Sequence, residues 1–184
     1  GLQGYGIGGD ARENLRRSMQ AWRVLSAEAA SGRARPFSRT ELLDRAVELF
    51  RRQGFNGTST AELVDTLGVN RKSMYAEFGS KQELFEAALE HYDRNHLTRV
   101  LAPIEAADAG VDAIRQAFAG YASASEGWFR GRGCLMCNTA VERAALDPAS
   151  REFAASYLDR INRAFRHALE NGQRAGDLDE TANL

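Results

Sequence analysis

The sequence predicts an all-α protein, in which a small head of three helices precedes a larger helical body. Apolar residues recur every three or four positions in segments of helical length, β-branched runs are few, and the chain has only three prolines. Within this pattern, Ser59–Phe78 reads as a short helix, a tight turn around Gly68 and a second short helix. That arrangement is typical of a helix-turn-helix motif, whose second helix enters the major groove of DNA.

Composition limits the classes of protein that the chain can belong to. Its 184 residues are enough for one generous domain or two small ones with a shared core. The formal net charge is −1, so any affinity for nucleic acid must come from a local basic patch. No segment is long and apolar enough for a membrane span and residues 1–10 do not resemble a signal peptide, so we expect a cytoplasmic protein without a membrane partner. The two cysteines are too few for a disulfide framework.

Residues 1–36 are predicted to be a flexible or weakly helical basic extension. Residues 1–10 contain five glycines, which favours disorder, and apolar residues recur at helical spacing in residues 11–30. Six arginines outnumber three acidic residues before Pro36. Two interpretations stay open: a basic arm that touches the DNA backbone, or a solvated extension.

Residues 37–80 are predicted to form the head, because capping residues mark the ends of its helices. Three pairs have the spacing of a capping box, and they are Ser38 with Glu41, Ser59 with Glu62, and Ser80 with Glu83. Asn70 can cap the second helix of the motif, while Gly54 and Gly68 can end helices in the left-handed conformation.

The helix after Asn70 combines an inward side with a side that suits DNA. Met74 and Phe78 lie four residues apart and are predicted to pack inward. The outward side offers two cations, a hydroxyl and a phenol, from Arg71, Lys72, Ser73 and Tyr75. Such groups bind phosphate oxygens and base edges, and Lys81 starts the next helix, where free N–H groups also attract phosphate. An ordinary charged helix face is the alternative, since residues 37–91 carry seven Lys/Arg against nine Asp/Glu.

One stretch closely resembles the N-terminal domain of TetR-family transcriptional regulators: TELLDRAVELFRRQGFNGTSTAELVDTLGVNRKSMYAEFGSKQELFEAALEHY. The pieces that carry the resemblance are LFRRQGF, TST, GVNRKSMY and FGSKQELF, within residues 37–92. It implies a DNA-binding head in residues 37–80 and a helical ligand-binding and dimerisation body in residues 81–184. It also implies that Arg71, Lys72 and Ser73 face bases or nearby phosphates, while Thr60, Tyr75 and Lys81 grip the backbone. The full candidate DNA-binding set is Ser59, Thr60, Asn70, Arg71, Lys72, Ser73, Tyr75 and Lys81.

The chain departs from the family pattern at Ala61, Ala76 and Glu77, where relatives often carry longer groups that reach DNA. Glu77 would repel phosphate unless its side chain turns away. We therefore expect fewer DNA contacts from the C-terminal end of the reading helix.

The body is predicted to contain one long helix and three further helices. The long helix spans Lys81–Ala102, about 33 Å at 1.5 Å per residue, and Pro103 is expected to stop it. The others are predicted at about Asp108–Ser125, at Cys134–Leu146 and at Ala149–Asn171, the last with Asp147 as its cap and Pro148 at its first position. Apolar and aromatic residues recur at every fourth position of the last helix, and this stripe is predicted to be core or dimer seam. It consists of Phe153, Tyr157, Ile161 and Phe165. Family bodies usually add another long helix, whereas this chain is polar after Gly172. It is therefore either truncated or dimerises through its last predicted helix.

A small-molecule effector is implied by the resemblance, and its pocket is predicted beside the loop at residues 127–133. The candidates mix aromatic and polar character, and they are Phe118, Tyr121, Trp128, Phe129, Met136, Asn138, Phe153 and Tyr157. Ordinary core packing is the alternative for each of them.

Cys134 and Cys137 form a C-x-x-C at the start of a predicted helix. A helix N-terminus lowers a thiol pKa, so a redox switch is one hypothesis. The alternative is packing on one apolar face together with Val141. No metal site is expected, because a tetrahedral site needs about four ligands and the three histidines lie far away in sequence.

Together these features predict a homodimeric, ligand-responsive DNA-binding regulator without a cofactor, and they favour a repressor that a small molecule releases from a pseudo-palindromic operator. A redox-sensing regulator switched through Cys134 and Cys137 is the alternative. An enzyme is the third possibility, but the chain has no G-x-S-x-G, P-loop, H-E-x-x-H or dinucleotide fingerprint.

Overall fold

A computed structural model describes residues 37–126 and 133–184, and Arg39–Leu184 form one compact unit. The predictions for residues 1–36 and for Trp128 and Phe129 lie outside the described residues. Helices and no strands occur in the described part, so the all-α prediction is confirmed. Among the same residues, no helix has the length and apolar character needed to cross a membrane.

The head consists of helices α1 (Arg39–Gln53), α2 (Thr60–Leu67) and α3 (Arg71–Phe78). The apolar side of α1 is buried as predicted, and it contributes Leu42, Leu43, Ala46, Val47, Leu49 and Phe50 to the core. This side packs against α4 (Lys81–Tyr92) and α2. The burial of apolar surface, which contributes about 25 cal/mol per Å², is the main force that holds the head together.

Two of the predicted capping pairs in the head are seen: Ser59 with Glu62 forms a complete capping box, and Ser80 caps α4. The Ser59 hydroxyl accepts the Glu62 N–H at 3.2 Å, and the Glu62 carboxylate accepts the Ser59 N–H at 2.8 Å. These bonds from Ser59 lower the pKa of the Glu62 carboxyl, which keeps the capping group charged. The Ser80 hydroxyl accepts the Glu83 N–H at 3.1 Å and so caps α4.

The long helix of the body differs from its prediction. After α4 a π-helical segment spans Asp93–Leu97, and α5 then continues over Thr98–Glu105 with Pro103 inside it. The prediction that Pro103 stops the helix is therefore wrong. In the last turn a proline removes one N–H donor only, so the helix ends two residues later.

The remaining helices are α6 (Val111–Glu126), α7 (Leu135–Glu142) and α8 (Pro148–Ala175). Helix α7 is shorter than predicted, because the N–H groups of Arg143 and Ala144 both bond to the Thr139 carbonyl and start a turn. Helix α8 is longer than predicted and ends at Gly176, whose φ of 81° is the left-handed conformation that glycine favours. Asp147 accepts the Ser150 N–H at 2.8 Å, so the predicted cap of α8 is confirmed.

The body has a small core of its own where α5, α6 and α8 meet. Ile104, Ala109, Ala164 and Ala168 are buried there, and Ile114 and Phe165 pack around them. Of the predicted stripe on α8, Tyr157 is buried and the other three members are half-buried. One side of α8 therefore belongs to the core.

His96 makes stability depend on pH. Its ring stacks on Tyr92 with the centroids 4.7 Å apart, and burial and the charges of Arg51 and Arg99 lower its pKa to about 4. The unfolded chain binds this proton below its ordinary pKa of 6.5, whereas the folded chain resists it until about 4. The contribution of neutral His96 to stability is therefore fully present above pH 6.5 and is lost as the pH falls toward 4.

We expect this loss to be about 1–2 kcal/mol of unfolding free energy, after allowance for the partial exposure of the ring. Urea denaturation at pH 7.5 and pH 4.5 would measure it. In a His96→Gln variant the pH dependence should be smaller by this amount, and an unchanged profile would assign the effect to other groups.

Candidate nucleic-acid interface

The turn between α2 and α3 is fixed by backbone and side-chain contacts. Gly68 adopts a φ of 68° and donates its N–H to the Val64 carbonyl at 3.0 Å. Asn70 then caps α3 by accepting the Ser73 N–H at 2.8 Å. On the outer side of α1, Arg45 donates to the carbonyls of Thr66 and Leu67 at 3.3 and 3.1 Å. The end of α2 is thereby tied to α1.

Helix α3 has one buried side and one exposed side, as predicted. Met74 and Phe78 are buried in the head core, as are Leu63 and Leu67 of α2. The outward side presents Arg71, Lys72 and Ser73 to solvent. The packing of two apolar side chains therefore sets the direction in which the two cations and the hydroxyl point.

Tyr75 and Thr60 connect the two helices of the motif. The Tyr75 phenol lies beside Thr60 of α2, and the Arg71 guanidinium lies 5.8 Å from the Tyr75 ring centroid. The Thr60 side chain and then Arg71 lower the pKa of the Tyr75 phenol. Tyr75 remains 36% exposed, so this pair is accessible from outside the head.

Two other candidates are occupied by contacts within the protein. The Lys81 ammonium lies 4.2 Å from the centroid of the Phe55 ring, and burial lowers its pKa. The Asn70 side chain is used as the cap of α3. Both side chains therefore contact other groups of the protein.

Glu77 turns toward α1 and pairs with Arg39, a partner that the sequence does not identify. Its carboxylate accepts a hydrogen bond from Arg39 at 2.7 Å, and Arg39 also donates to the Glu77 carbonyl at 3.2 Å. The same guanidinium lies 4.7 Å from the centroid of the Phe78 ring. The negative charge at the end of α3 is therefore neutralised by a cation from the first turn of α1. No local pattern could reveal a pair that is separated by 38 residues.

The described pocket candidates differ in their exposure and in their contacts. Phe118 is 61% exposed, with its ring centroid 5.9 Å from that of Phe165. Met136 is buried in the core, and Phe153 is half-buried on α8. Asn138 donates to the Arg51 carbonyl at 3.3 Å and so contacts the head.

Tyr121 and Tyr157 instead lie beside the two cysteines. The Cys134 thiol donates to the Tyr157 hydroxyl at 3.5 Å, and Tyr92 also interacts with Cys134. We refer to these groups as the phenol–thiol cluster, which consists of Tyr92, Tyr121, Cys134, Cys137 and Tyr157. Burial raises the pKa of all three phenols, so they are neutral hydrogen-bonding groups.

The environment of Cys137 disfavours the thiolate that a redox switch needs. Desolvation raises the pKa of the Cys137 thiol, and Cys134 acts in the same direction, whereas the helix N-terminus was expected to lower it. The redox alternative is therefore not favoured. The predicted apolar face shared with Val141 is also wrong, because Val141 is 91% exposed and Cys137 is exposed. Residues 37–126 and 133–184 contain no group of three or more His, Cys, Asp or Glu side chains that could hold a metal ion.

A separate groove of about 380 Å³ lies between α5 and α8, and no pattern in the sequence indicates it. Its lining consists of Glu105, Arg160, Arg163, Ala164 and His167. Arg160 is bound there by both carboxylate oxygens of Glu105, at 2.5 and 2.7 Å. This groove is polar and open, unlike the mostly apolar pockets that hold small molecules.

Two family models match the chain in the two regions described above. The model for bacterial regulatory proteins of the tetR family matches residues 42–88, and the model for a tetracyclin repressor-like C-terminal domain matches residues 110–184. The uncharacterised HTH-type transcriptional regulator YezE of Bacillus subtilis is 31% identical over 80% of this chain and 76% of its own length. The chain belongs to the TetR family.

Two further similarities agree with this TetR-family assignment. The HTH-type transcriptional repressor ComR of Escherichia coli is 32% identical to this chain. The match covers 76% of this chain and 62% of ComR. A cysteine mutant of the TetR-family regulator CifR, solved with a 26-base-pair operator DNA, matches 82% of this chain and 79% of its own, with a TM-score of 0.66 and 28% identity. The present TetR-family protein is a ligand-responsive DNA-binding transcriptional regulator and not an enzyme.

Proposed function

We propose that this TetR-family regulator is a cytoplasmic, homodimeric repressor that leaves a pseudo-palindromic operator when a small molecule binds its body. The observation that carries the proposal is the outward side of α3, where Arg71, Lys72 and Ser73 are exposed on a helix anchored by buried Met74 and Phe78. These groups match the cations and hydroxyls that bind phosphates and base edges in a major groove.

The DNA contacts fall into two groups in this proposal. Arg71, Lys72 and Ser73 reach bases or nearby phosphates, since they extend from the first turn of the reading helix. The neighbouring Tyr75 and Thr60 bind the DNA backbone beside them. Ser59, Asn70 and Lys81 contribute less, because capping or the contact with Phe55 already occupies their side chains.

Dimerisation in this proposal uses the outer faces of α6 and α8. Phe118 is 61% exposed on α6 and Leu158 is 54% exposed on α8, although both are large apolar side chains. Cover by a second copy would remove this apolar surface from water. Two heads on a twofold axis would then enter successive major grooves about 34–36 Å apart.

The effector in this proposal binds beside the phenol–thiol cluster. Its members come from α4, α6, α8 and the start of α7, so a molecule held there would contact most of the body. Neutral phenol and thiol groups offer hydrogen bonds without charge. A molecule that binds better when the heads are wrongly spaced would shift the population away from the DNA-bound state.

Selection of bound fragments from random double-stranded DNA would test the proposal. We expect a pseudo-palindromic motif, bound by a dimer whose mass is measured by light scattering with and without DNA. A chemical library would then be screened for compounds that release the selected DNA. Enrichment of no motif at 100 mM salt, or binding by a monomer to a single half-site, would contradict the proposal.

Glu77→Gln should strengthen DNA binding. The change removes a negative charge from the end of α3 and frees the Arg39 guanidinium, now held at 2.7 Å, to approach phosphate. We expect an affinity increase of up to about tenfold and a steeper dependence of log Kd on log salt, by up to about 0.9 for each head. Fluorescence anisotropy with the selected DNA at several salt concentrations would measure both quantities.

The matched control is Glu126→Gln, an equal change of charge at the exposed end of α6. It should leave affinity nearly unchanged. Weaker binding by Glu77→Gln would instead mean that the carboxylate accepts a hydrogen bond from a base, such as a cytosine amino group.

A further inference from the structure

Helix α7 is hydrogen-bonded to the head near its start, middle and end. Arg51 of α1 donates from Nε to the Gly133 carbonyl at 3.0 Å, just before α7 begins. Asn138, in the middle of α7, donates to the Arg51 carbonyl at 3.3 Å. At the end of α7, the Glu142 carboxylate accepts the N–H groups of Phe55 and Asn56 at 2.9 and 2.6 Å.

The Glu142 carboxylate fits closely into the turn that follows α1. Gly54 has a φ of 72°, and a Cβ placed on it would lie within van der Waals overlap of the Glu142 carboxylate. Glycine favours this backbone conformation and leaves room for this approach. Two charge-assisted bonds to backbone N–H groups are among the stronger hydrogen bonds available to a protein. The turn is therefore built around the carboxylate.

The side chain of Phe55 is held at the same place. The Lys81 ammonium and the Arg143 guanidinium lie 4.2 and 4.1 Å from the centroid of its ring. Arg143 in turn donates to the Gln82 side chain at 2.9 Å, which ties the end of α7 to α4. Both the backbone and the ring of Phe55 are thus fixed by groups on α7 and α4.

From Phe55 a short series of contacts leads to the reading helix. Thr58 is fully buried, and its hydroxyl donates to the Gly54 carbonyl at 2.6 Å. The next residue, Ser59, caps α2, and Thr60 lies beside Tyr75 of α3. A displacement of the turn at Phe55 therefore moves the start of α2 and the Thr60–Tyr75 pair with it.

We propose that Glu142 is a positioning residue for DNA binding, which holds the Gly54–Thr58 turn and, through it, the motif of α2 and α3 in the DNA-reading arrangement. The inference rests on the proposed function of α3 as the reading helix. The other end of α7 begins at Cys134 in the phenol–thiol cluster, so a shift of α7 that is started there would reach Glu142 and release the turn.

Glu142→Ala and Glu142→Gln, tested with the selected DNA, separate this role from simple electrostatics. Removal of an acidic group near DNA strengthens binding if only charge matters. If Glu142 positions the turn, Glu142→Ala weakens binding about tenfold, with the slope of log Kd against log salt unchanged because no phosphate contact is lost. Glu142→Gln keeps one carbonyl oxygen as an acceptor and should recover part of the affinity.

Amide hydrogen exchange in the free protein gives a second readout. The Phe55 and Asn56 amides should exchange about tenfold faster in Glu142→Ala, while amides in the middle of α1 keep their protection. Glu152→Ala, an exposed acidic residue on α8, is the matched control and should change neither readout. Unchanged or tighter DNA binding by Glu142→Ala, or unchanged exchange at both amides, overturns the inference. Failure of the wild-type protein to bind DNA would overturn the proposed function instead. Amide hydrogen exchange would then still test whether Glu142 holds the Gly54–Thr58 turn.

Discussion

Phe85→Ala is expected to lower the free energy of unfolding by about 3–5 kcal/mol. Phe85 lies in α4 and is 1% exposed. Its ring meets that of Phe50 edge-on, with centroids 4.9 Å apart at 80°, and lies 5.0 Å from that of Phe55. Deletion of the ring loses its burial and both aromatic contacts, and it leaves a cavity where α1, α4 and the turn before α2 meet.

Urea denaturation at pH 7.5 would measure the effect of Phe85→Ala, provided that the transition is two-state. Leu146→Ala is the matched control, because Leu146 is 72% exposed and its loss should change stability by less than about 0.5 kcal/mol. Phe85→Leu keeps most of the volume and should cost no more than about 1.5 kcal/mol. A loss below about 1 kcal/mol for the alanine variant would mean that neighbouring side chains collapse into the cavity.

The parts of the fold that the sequence predicts well depend on residues close together in the chain. Ser59 with Glu62, Asn70 with Ser73, and Asp147 with Ser150 each form a cap across three positions. The side chain that accepts the bond and the N–H that donates it are set by the same turn of helix. Apolar periodicity likewise predicts the buried sides of α1 and α3.

The parts of the fold that the sequence predicts poorly depend on contacts between residues that are far apart in the chain. Arg39 with Glu77 and Glu142 with Phe55 join residues that are 38 and 87 positions apart. The sequence shows that Glu77 is acidic and lies on the predicted reading helix, but it does not reveal the cation that neutralises its charge. The prediction that Pro103 stops the long helix is wrong for a related reason, since the effect of a proline depends on how many turns of helix follow it.

The pocket prediction shows the limit of composition. Phe118, Met136 and Tyr157 all have pocket-like chemistry, but one is exposed, one is in the core and one lies in the phenol–thiol cluster. Periodicity assigns a residue to a face of its own helix, and the neighbouring helix decides whether that face is covered. The position of α7 against the head, which decides the place of Asn138, has no signal in the sequence.

Lys72→Ala is expected to weaken binding to the selected DNA by about ten- to a hundredfold, since the proposed homodimer loses the group twice. Lys72 is exposed in the first turn of α3, on the side opposite to buried Met74 and Phe78. If its ammonium binds phosphate, the slope of log Kd against log salt should become shallower by about 0.9 for each head, or about 1.8 for the dimer. Anisotropy titrations between 50 and 300 mM salt would measure both changes.

A phosphate contact and a base contact by Lys72 have different consequences. Loss of a phosphate contact weakens binding to all sequences alike, whereas loss of a base contact relaxes the selected motif at one position in each half-site. Arg115→Ala is the matched control, because it removes one exposed cation from α6 in the body. Its effect on the salt slope should be near zero. If Lys72→Ala changed neither the slope nor the motif, the exposed side of α3 would not be the surface that reads DNA, and the orientation set by Met74 and Phe78 would serve the core alone.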